Sequence, residues 1–555
     1  MVGRHRPRRG AGQWTLAVAG ATVLLLGAGI LIKTVTADAD GCSAEGTRLV
    51  IATDPAITPA LTEIAERWQR NGATAAGRCV RIDVQSKDSA TMASELGTFA
   101  GGAVDVGASP RPTPAEEDLP GVWIPDSSAW LGRVRAVDRN AFEGQGTSVA
   151  LSPVVVAMPE AAARQLGGAG PLTAQAVIGL LGQGKVKLGM VDPRRDSASL
   201  VGAMLLKDVV VTSDDKLPLL VGAYRQYVNV GKSYADTNAL FAGFAQGLGG
   251  APVSEQAVIR YNAANPKVIA AAVPLAVEPT LDFPYTVLTA KSREVKNAAE
   301  TFRSALAGDA YADILAKYGL RTPSGAAGPG FTVGHGVTAN RAHVQPVTDM
   351  ASVRTTLTIW VAAKTPSHVI ALADATSSMS KPLGATTRVG LLKAATRFGL
   401  DLFTSDSEIA LWAYAGRGPS ELVPMGTLNA QQRARLDGTM QAAAPSVTDD
   451  CPLFESIIAA YKAIQAEYDP ERSNTVVVFT DGRSNLKDGL TLSKVKRELE
   501  NLSDVARPIR VILMGIGPDA DIAELQQIAA ITGGGAFPLS SPEQLSMIFL
   551  KALLT

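Results

Sequence analysis

The stretch His368–Ser380, HVIALADATSSMS, decides the fold. Its first six residues form an apolar run of the length that a buried strand takes. The run stops at Asp374, and hydroxyls follow at alternate positions, Thr376 and Ser378. A carboxylate and two hydroxyls spaced this way present three oxygens to one side of a tight turn. A helix is predicted from Arg388 to Phe403. The oxygens therefore sit where a strand hands over to a helix, the edge at which α/β sheets bind ligands. Oxygen donors there suit a hard cation such as Mg²⁺. A second run, NTVVVF (Asn474–Phe479), repeats the pattern and ends in Thr480-Asp481-Gly482. Two such strands predict paired carboxylates at one sheet edge. The alternative is that each aspartate only caps the helix or turn after it.

The elements around these runs keep the alternation. Glu408–Tyr414 and Ile509–Ile516 are predicted strands, and Leu453–Tyr468, Ile522–Ala530 and Leu545–Leu553 predicted helices. The glycines Gly533–Gly535 follow a helix and read as its stop. With Asp-x-Thr-x-Ser on one strand and Thr-Asp-Gly on a later one, residues 366–555 resemble a von Willebrand factor A domain with its metal-ion-dependent adhesion site. The resemblance implies a doubly wound, Rossmann-like domain holding Mg²⁺ (or Mn²⁺ or Ca²⁺) on Asp374, Thr376, Ser378 and Asp481. One coordination position would be left for the carboxylate of a protein partner. One position departs from the family pattern: Cys451, in CPLF, stands where the family has a threonine. A thiol suits Mg²⁺ poorly, and Thr448, Asp449 or Asp450 would then supply the oxygen.

Upstream, Thr47–Thr53, Val80–Val84, Ala103–Ala108, Val122–Ile124, Val149–Met158 and Val186–Met190 read as strands with helical stretches between them, as in Pro59–Asn71. This order predicts a mostly parallel α/β sheet. Two hydrophobic strands, Ser152–Met158 and Ile269–Val277, would suit two lobes joined by crossing strands, with a ligand in the cleft between them. The segments TRLVIATDPAITPALTEIAERW, VDVGASPRPTP, WIPDSSAWL, SPVVVAMP, LDFPYTVL and AAETFRSALAGDAYADILAKYGLR make residues 46–325 similar to a bacterial extracellular solute-binding protein of the two-lobed periplasmic-binding type. By that resemblance Thr53, Asp54, Ser89, Ser109, Ser127 and Ser152 are candidates for the cleft that holds a small solute. Arg194-Arg195-Asp196-Ser197 opens a helix and either holds an anion there or supplies its cap. Residues 326–365, Gly/Pro-rich at first, read as a linker ending in a short helix, Asp349–Ala362.

The N-terminus sets the compartment. Arg4, Arg6, Arg8 and Arg9 precede an uncharged run, Gln13–Ile32, that ends at Lys33. A spanning helix needs about 20 apolar residues, and the h-region of a cleaved signal about 7–15. The run has spanning length, so 1–12 is expected in the cytoplasm, 13–33 as a transmembrane helix or signal anchor, 34–45 as a linker, and the body outside. Small residues at Val35–Ala39 leave cleavage and secretion as the alternative. With the body outside, Cys42 and Cys79 are the natural disulfide pair and Cys451 stands alone. In a reducing compartment all three are free thiols.

Composition narrows the function. The 555 residues exceed one hydrophobic core. Lys and Arg (52) balance Asp and Glu (52), so there is no basic footprint for nucleic acid. The four histidines lack zinc spacing, and neither a G-x-S-x-G elbow nor a phosphate loop occurs. The sequence therefore predicts a non-enzymatic, membrane-anchored extracytoplasmic binding or adhesion protein. The alternative is the solute-binding component of a transport system.

Overall fold

The structure is a computed structural model, and it describes residues 46–109, 111–165, 173, 187–210, 224, 233–482 and 484–541. The expected spanning segment 13–33, Cys42, Val186 and the final helix Leu545–Leu553 lie outside these residues. Among the described residues no helix is long and apolar enough to cross a membrane.

Because Leu49 and Ile51 are fully buried, β1 (Thr47–Thr53) has to run through the middle of its sheet. Helix α1 (Thr58–Arg70) covers it with Ala60, Leu61, Ile64 and Ala65. Next come β2 (Thr74–Ala75), β3 (Arg78–Ser86), α2 (Ser89–Phe99), β4 (Val122–Ile124), α3 (Ser128–Arg135) and β5 (Phe142–Ser148). β1 pairs in parallel with β3 and β4. The expected strand Ala103–Ala108 does not form. Val104 and Val106 are buried, but Asp105 accepts from the Gly107 amide and Gly107 turns to φ 66°, which breaks the extended run.

The chain then builds a second lobe from β6 (Ser152–Pro159), α4 (Glu160–Gln165), β7 (Met190–Val191), α5 (Ser197–Val210), β8 (Ser233–Tyr234), α6 (Thr237–Ala242), β9 (Ala251–Ser254), α7 (Glu255–Ala264) and β10 (Ala270–Pro274). β6 and β10 do not cross between lobes as separate struts. They pair antiparallel within this lobe, and β9 also runs antiparallel to β6. The expectation of a mostly parallel sheet thus holds only for the core of the first lobe. Return through β11 (Thr280–Leu281) brings β12 (Pro284–Leu288) back beside β4 and β5. Helices α8 (Arg293–Ala305) and α9 (Ala312–Lys317) close the first lobe.

Residues after Arg321 stay on this body. Arg321 is 2% exposed and makes a forked ion pair with Glu255, at 2.7 and 2.9 Å. Its remaining donors hold the carbonyls of Thr338 and Asn340, both at 2.7 Å. Gly336, at φ 91°, lies where a Cβ would fall 2.0 Å from the Ala272 carbonyl oxygen, so only glycine lets this strand of chain lie so close. Helix α10 (Met350–Lys364), capped by Asp349, buries Val353, Ile359 and Trp360. The stretch read as a linker is therefore packed against the first body.

The C-terminal unit follows two residues later with β13 (Ser367–Asp374), a hairpin of β14 (Pro382–Leu383) and β15 (Thr386–Thr387), α11 (Arg388–Leu402), β16 (Glu408–Ala415) and β17 (Gly418–Val423). It continues with α12 (Ala430–Ala442), α13 (Leu453–Ala466), β18 (Ser473–Thr480), α14 (Leu492–Leu502), β19 (Ile509–Ile516), α15 (Ile522–Ala529) and β20 (Ala536–Leu539). The strand order is β17-β16-β13-β18-β19-β20, parallel except at the β17 edge. Alternation along the strands explains the three layers. Val369, Val477, Phe479, Ile512 and Met514 face α11 and α12, while Ile370, Leu372, Val476, Val478 and Leu513 face α13, α14 and α15.

Removing one partner of a buried ion pair strands the other charge and costs about 3–5 kcal/mol. Arg321→Met is expected to destabilise the first body by that order. Urea denaturation checks it, and an unchanged midpoint would show that Glu255 has another answer to its charge.

Candidate functional site

Two places gather polar side chains from distant parts of the chain. The first is the carboxyl edge of the C-terminal sheet. Ala373 of β13 is in register with Phe479 of β18, which puts Asp374 beside Thr480 and Asp481. The backbone amide and hydroxyl of Thr376 both donate to Asp374 Oδ1, at 2.9 and 2.6 Å. Thr376 Oγ1 lies 2.9 Å from Ser378 Oγ, and Ser378 Oγ donates to Asp481 Oδ1 at 2.9 Å. Four side chains from two separate strands thus form one continuous row of oxygens. Asp374, Thr376 and Asp481 are buried, and Ser378 is partly exposed.

The other oxygen of Asp374 accepts from Tyr414 at 3.2 Å and from Thr480 at 3.4 Å, with Cys451 Sγ at 3.9 Å. Burial raises the Asp374 carboxyl above its ordinary range, and the Asp481 charge adds to this against the Thr376 bonds. Burial also pushes the Cys451 thiol far up, with Asp374 and Asp481 adding to it, so the sulfur is neutral. Asp481 Oδ2 accepts from Arg388 Nη1 at 2.6 Å, and Arg388 also pairs with the exposed Asp519. Of the three oxygens considered in place of a family threonine, Asp449 bonds the Ser377 hydroxyl, the Thr448 carbonyl accepts from the Ser377 amide at 2.8 Å, and Asp450 is exposed.

The donor set fits a hard divalent ion in its four oxygens and not in its sulfur. Among the described residues no three His, Cys, Asp or Glu side chains converge as a metal cluster, so hydroxyls would have to carry part of any coordination. Arg388 and Tyr414 were not read from the sequence as site residues, and Thr480 was read only as part of the Thr-Asp-Gly element. Arg388 left one trace: a basic residue in the first turn of a helix opposes the macrodipole and needs a local acid.

The second place is the cleft between the two lobes of the first body, a cavity of about 670 Å³. Asp54 follows β1, Asp88 and Ser89 open α2, and Asp126 follows β4, so the first lobe contributes the carboxyl ends of its parallel strands. The facing wall comes from Arg195 and Asp196 before α5, Asp236 before α6, and Gln256, Arg260 and Tyr261 of α7. Ser89 Oγ donates to Asp54 Oδ2 at 2.7 Å and accepts from the Asp126 amide at 3.2 Å. The lobes also touch directly. Ser197 donates to Asp126 Oδ1 at 2.8 Å, Gln256 to the Ala56 carbonyl at 3.1 Å, and Arg133 to the Arg194 carbonyl at 3.0 Å.

Of the six candidates read for the cleft, Asp54 and Ser89 line it. Thr53 is fully buried against Thr58, Ser127 caps α3, and Ser152 accepts from the Gln256 amide, so these three hold the frame. Ser109 is exposed and outside the lining. Asp196 takes the capping role, accepting from Ser199 N at 2.6 Å, and the positive end of α5 is thereby already met by a carboxylate.

Residues 49–321 match the family described as bacterial extracellular solute-binding protein. Over 538 residues the chain is 23% identical to an uncharacterized protein of Mycobacterium tuberculosis (strain ATCC 25618 / H37Rv), a match that takes in 90% of this chain and 75% of that one. Among solved structures it is similar to a periplasmic thiamin binding protein, at 10% identity and a TM-score of 0.40 over 58% of this chain and 98% of that one. It is also similar to the sulfate-binding protein SubI from Mycobacterium tuberculosis H37Rv, at 15% identity and 0.36 over 50% and 87%. A third likeness is to a von Willebrand factor type A protein from Catenulispora acidiphila, at 18% identity and 0.29 over 34% of this chain and 42% of that one, so the chain spans under half of that protein.

Burial raises the Asp54 carboxyl from 3.8 to about 6, with the Asp88 and Asp196 charges adding to it against bonds from Ala56 and Ser89. In that window the folded protein holds a proton that the unfolded chain releases, so this group makes stability fall as pH rises. Asp54→Asn is expected to gain stability relative to the parent as pH is raised from 3.8 to about 6. Thermal melts of both proteins across this range check it, and parallel curves would show Asp54 ionised throughout.

Proposed function

We propose, from a chain that joins a segment of the solute-binding family to a C-terminal unit resembling a von Willebrand factor A domain, that this is a membrane-anchored extracytoplasmic binding protein with two sites. The cleft of the first body holds a small solute. The rim of the C-terminal sheet engages a protein partner that presents a carboxylate. The observation that carries the second role is the row of oxygens from Asp374 through Thr376 and Ser378 to Asp481, bonded at 2.6, 2.9 and 2.9 Å.

Those four residues would hold Mg²⁺, with Mn²⁺ or Ca²⁺ as substitutes, and a bound ion would supply an electrophilic position for the partner's carboxylate. The chain's own groups set the site's selectivity. Thr376 and Ser378 fix the spacing of the two aspartates. Tyr414 and Thr480 orient Asp374 from behind. Arg388 answers one oxygen of Asp481, which lowers the negative charge offered to a cation. Cys451 leaves the fifth position without a hard donor, so metal affinity is weaker than a threonine there would give.

The matched family is described as extracellular, which supports a body outside the cytoplasm. The arginine-flanked run 13–33 supports anchoring, and an outside body supports a bridge between Cys42 and Cys79. Of the described cysteines only Cys451 is free. The description of the matched family as solute-binding supports a non-enzymatic role. The alternative, a solute-binding component of a transport system, is favoured by the cavity alone. A thermal-shift comparison separates the two, since a ligand that binds only the folded form raises its apparent stability.

Titration calorimetry with Mn²⁺ is expected to show uptake by the parent, none by Asp374→Ala, and at least several-fold tighter uptake by Cys451→Thr, with circular dichroism unchanged in both variants. Equal uptake by the parent and Asp374→Ala would end the metal reading. Thiol alkylation of the purified full chain in denaturant without reductant is expected to label Cys451 alone. Labelling of Cys79 would remove the disulfide and weaken the case for an outside body.

A further inference from the structure

The interlobe cleft is strongly and unevenly charged. Five aspartates, Asp54, Asp88, Asp126, Asp196 and Asp236, line it against two arginines, Arg195 and Arg260, which leaves three formal negative charges in excess. From this arrangement we infer that the cleft takes an organic cation bearing an amine or guanidinium group. The inference rests on the solute-binding reading given above and names the class of solute.

An oxyanion is disfavoured by the positions of the aspartates. Helix N-termini that point into a cleft are ready-made anion sites. Here those ends are filled from within. Asp88 accepts from Thr91 N at 2.9 Å, Asp196 from Ser199 N at 2.6 Å and Asp236 from Ala239 N at 2.8 Å. Each cap uses one carboxylate oxygen and sets an acidic side chain at the cavity wall. An anion would meet carboxylates where it needs free amides.

A bare metal ion is disfavoured by the spread of the charges. Among the described residues no three acidic, histidine or cysteine side chains come close enough to hold one. The carboxylates sit on both walls, so they suit a ligand whose positive charge lies on an extended body. Asp54 and Asp126, on the first lobe, are linked through Ser89, whose hydroxyl donates to the Asp54 carboxylate and accepts from the Asp126 backbone amide. Burial raises the proton affinity of both carboxyls, and the charge of Asp54 raises that of Asp126 further. A cation placed at this pair would meet two carboxyls whose side-chain oxygens accept from hydroxyls, one backbone amide and an indole and from no basic side chain. On the facing wall Tyr261 stacks on Phe241, with ring centroids 4.3 Å apart, and gives the cavity an aromatic face that also favours cations. The volume lies within the usual range for small-solute sites, roughly 300–1,000 Å³.

The test uses the full chain, with putrescine, spermidine, arginine amide and choline as cations, sulfate as an oxyanion and glucose as a neutral solute. At least one of the four cations is expected to raise the melting temperature and to bind by calorimetry, with affinity falling as salt is added. Asp126→Asn keeps the shape and removes the charge, and it is expected to weaken that cation roughly tenfold or more. Asp54→Asn serves as the second variant if the first folds poorly, with the same expectation. Binding of sulfate or glucose with no cation bound would overturn the cation class and leave the solute-binding reading standing. Cation binding unchanged in both variants would place it outside the cleft and overturn the inference. Binding of nothing in the set would overturn the inference, and if a wider screen of solutes also failed, the solute-binding reading would fall with it.

Discussion

A carboxylate carried out of water at the end of a buried strand has to be met by donors or by positive charge, and both bodies of this chain are arranged around that need. In the C-terminal sheet the need is answered on the spot. Asp374 is surrounded by hydroxyls, and Asp481 has a hydroxyl on one oxygen and the Arg388 guanidinium on the other. In the first body it is answered in two ways. Glu255 and Asp192 are buried with arginine and lysine partners, whereas Asp54 and Asp126 are met by neutral donors and face a cavity. Within the first body, then, Glu255 and Asp192 carry built-in cations, and Asp54 and Asp126 border the cavity with neutral donors only.

How much of this could be read from the sequence follows from the range of the forces involved. Four of the six strands of the C-terminal sheet, β13, β16, β18 and β19, were legible because each carries an apolar run bounded by turn residues. Ile509–Ile516 was placed to the residue, and the other three to within one. Elements whose signal is weaker were missed. The edge strand Gly418–Val423 is half exposed, and helix Ala430–Ala442 has only Gln432, Leu436 and Met440 buried. The expected strand Ala103–Ala108 failed because a single Asx turn at Asp105–Gly107 outweighed two buried valines.

The sites divide in the same way. Asp374, Thr376, Ser378 and Asp481 are short-range motifs on predictable strands, so their meeting followed once the sheet was drawn. The walls of the cleft depend on how two lobes face each other, which no local pattern records. The residues read there by resemblance were those next to strand ends. Three of them, Thr53, Ser127 and Ser152, turned inward to hold the frame, and the charged residues of the second lobe, Asp196, Asp236 and Arg260, were not recognised as cleft residues. Arg388 was missed for a related reason: its partner acids lie 93 and 131 residues away.

Within the first body, one aspartate ties the wall of the cleft to the helix that leads into the C-terminal unit. Asp192 accepts from Arg194 at 2.8 Å, from Trp360 Nε1 at 3.1 Å and from Lys364 at 3.0 Å. Against the push of its burial, the Arg194 bonds and the Lys364 charge hold its carboxyl down at about 2. It is therefore ionised at every physiological pH and cannot let go of these cations by taking up a proton. Three and four residues further on, Arg195 and Asp196 line the cleft, and the buried Ser197 bonds Asp126 of the other lobe. On the other side, Trp360 and Lys364 belong to α10, and only Thr365 and Pro366 separate α10 from β13, whose last residue is Asp374. A solute that displaced the 192–197 loop would have either to carry α10 along or to part Asp192 from Trp360 and Lys364. Arg194 belongs to the same loop and would stay with Asp192, so the loss falls on the indole and on the part-exposed Lys364. Asp192 therefore stays charge-compensated in either course, and what it fixes is the packing of the cleft wall on α10.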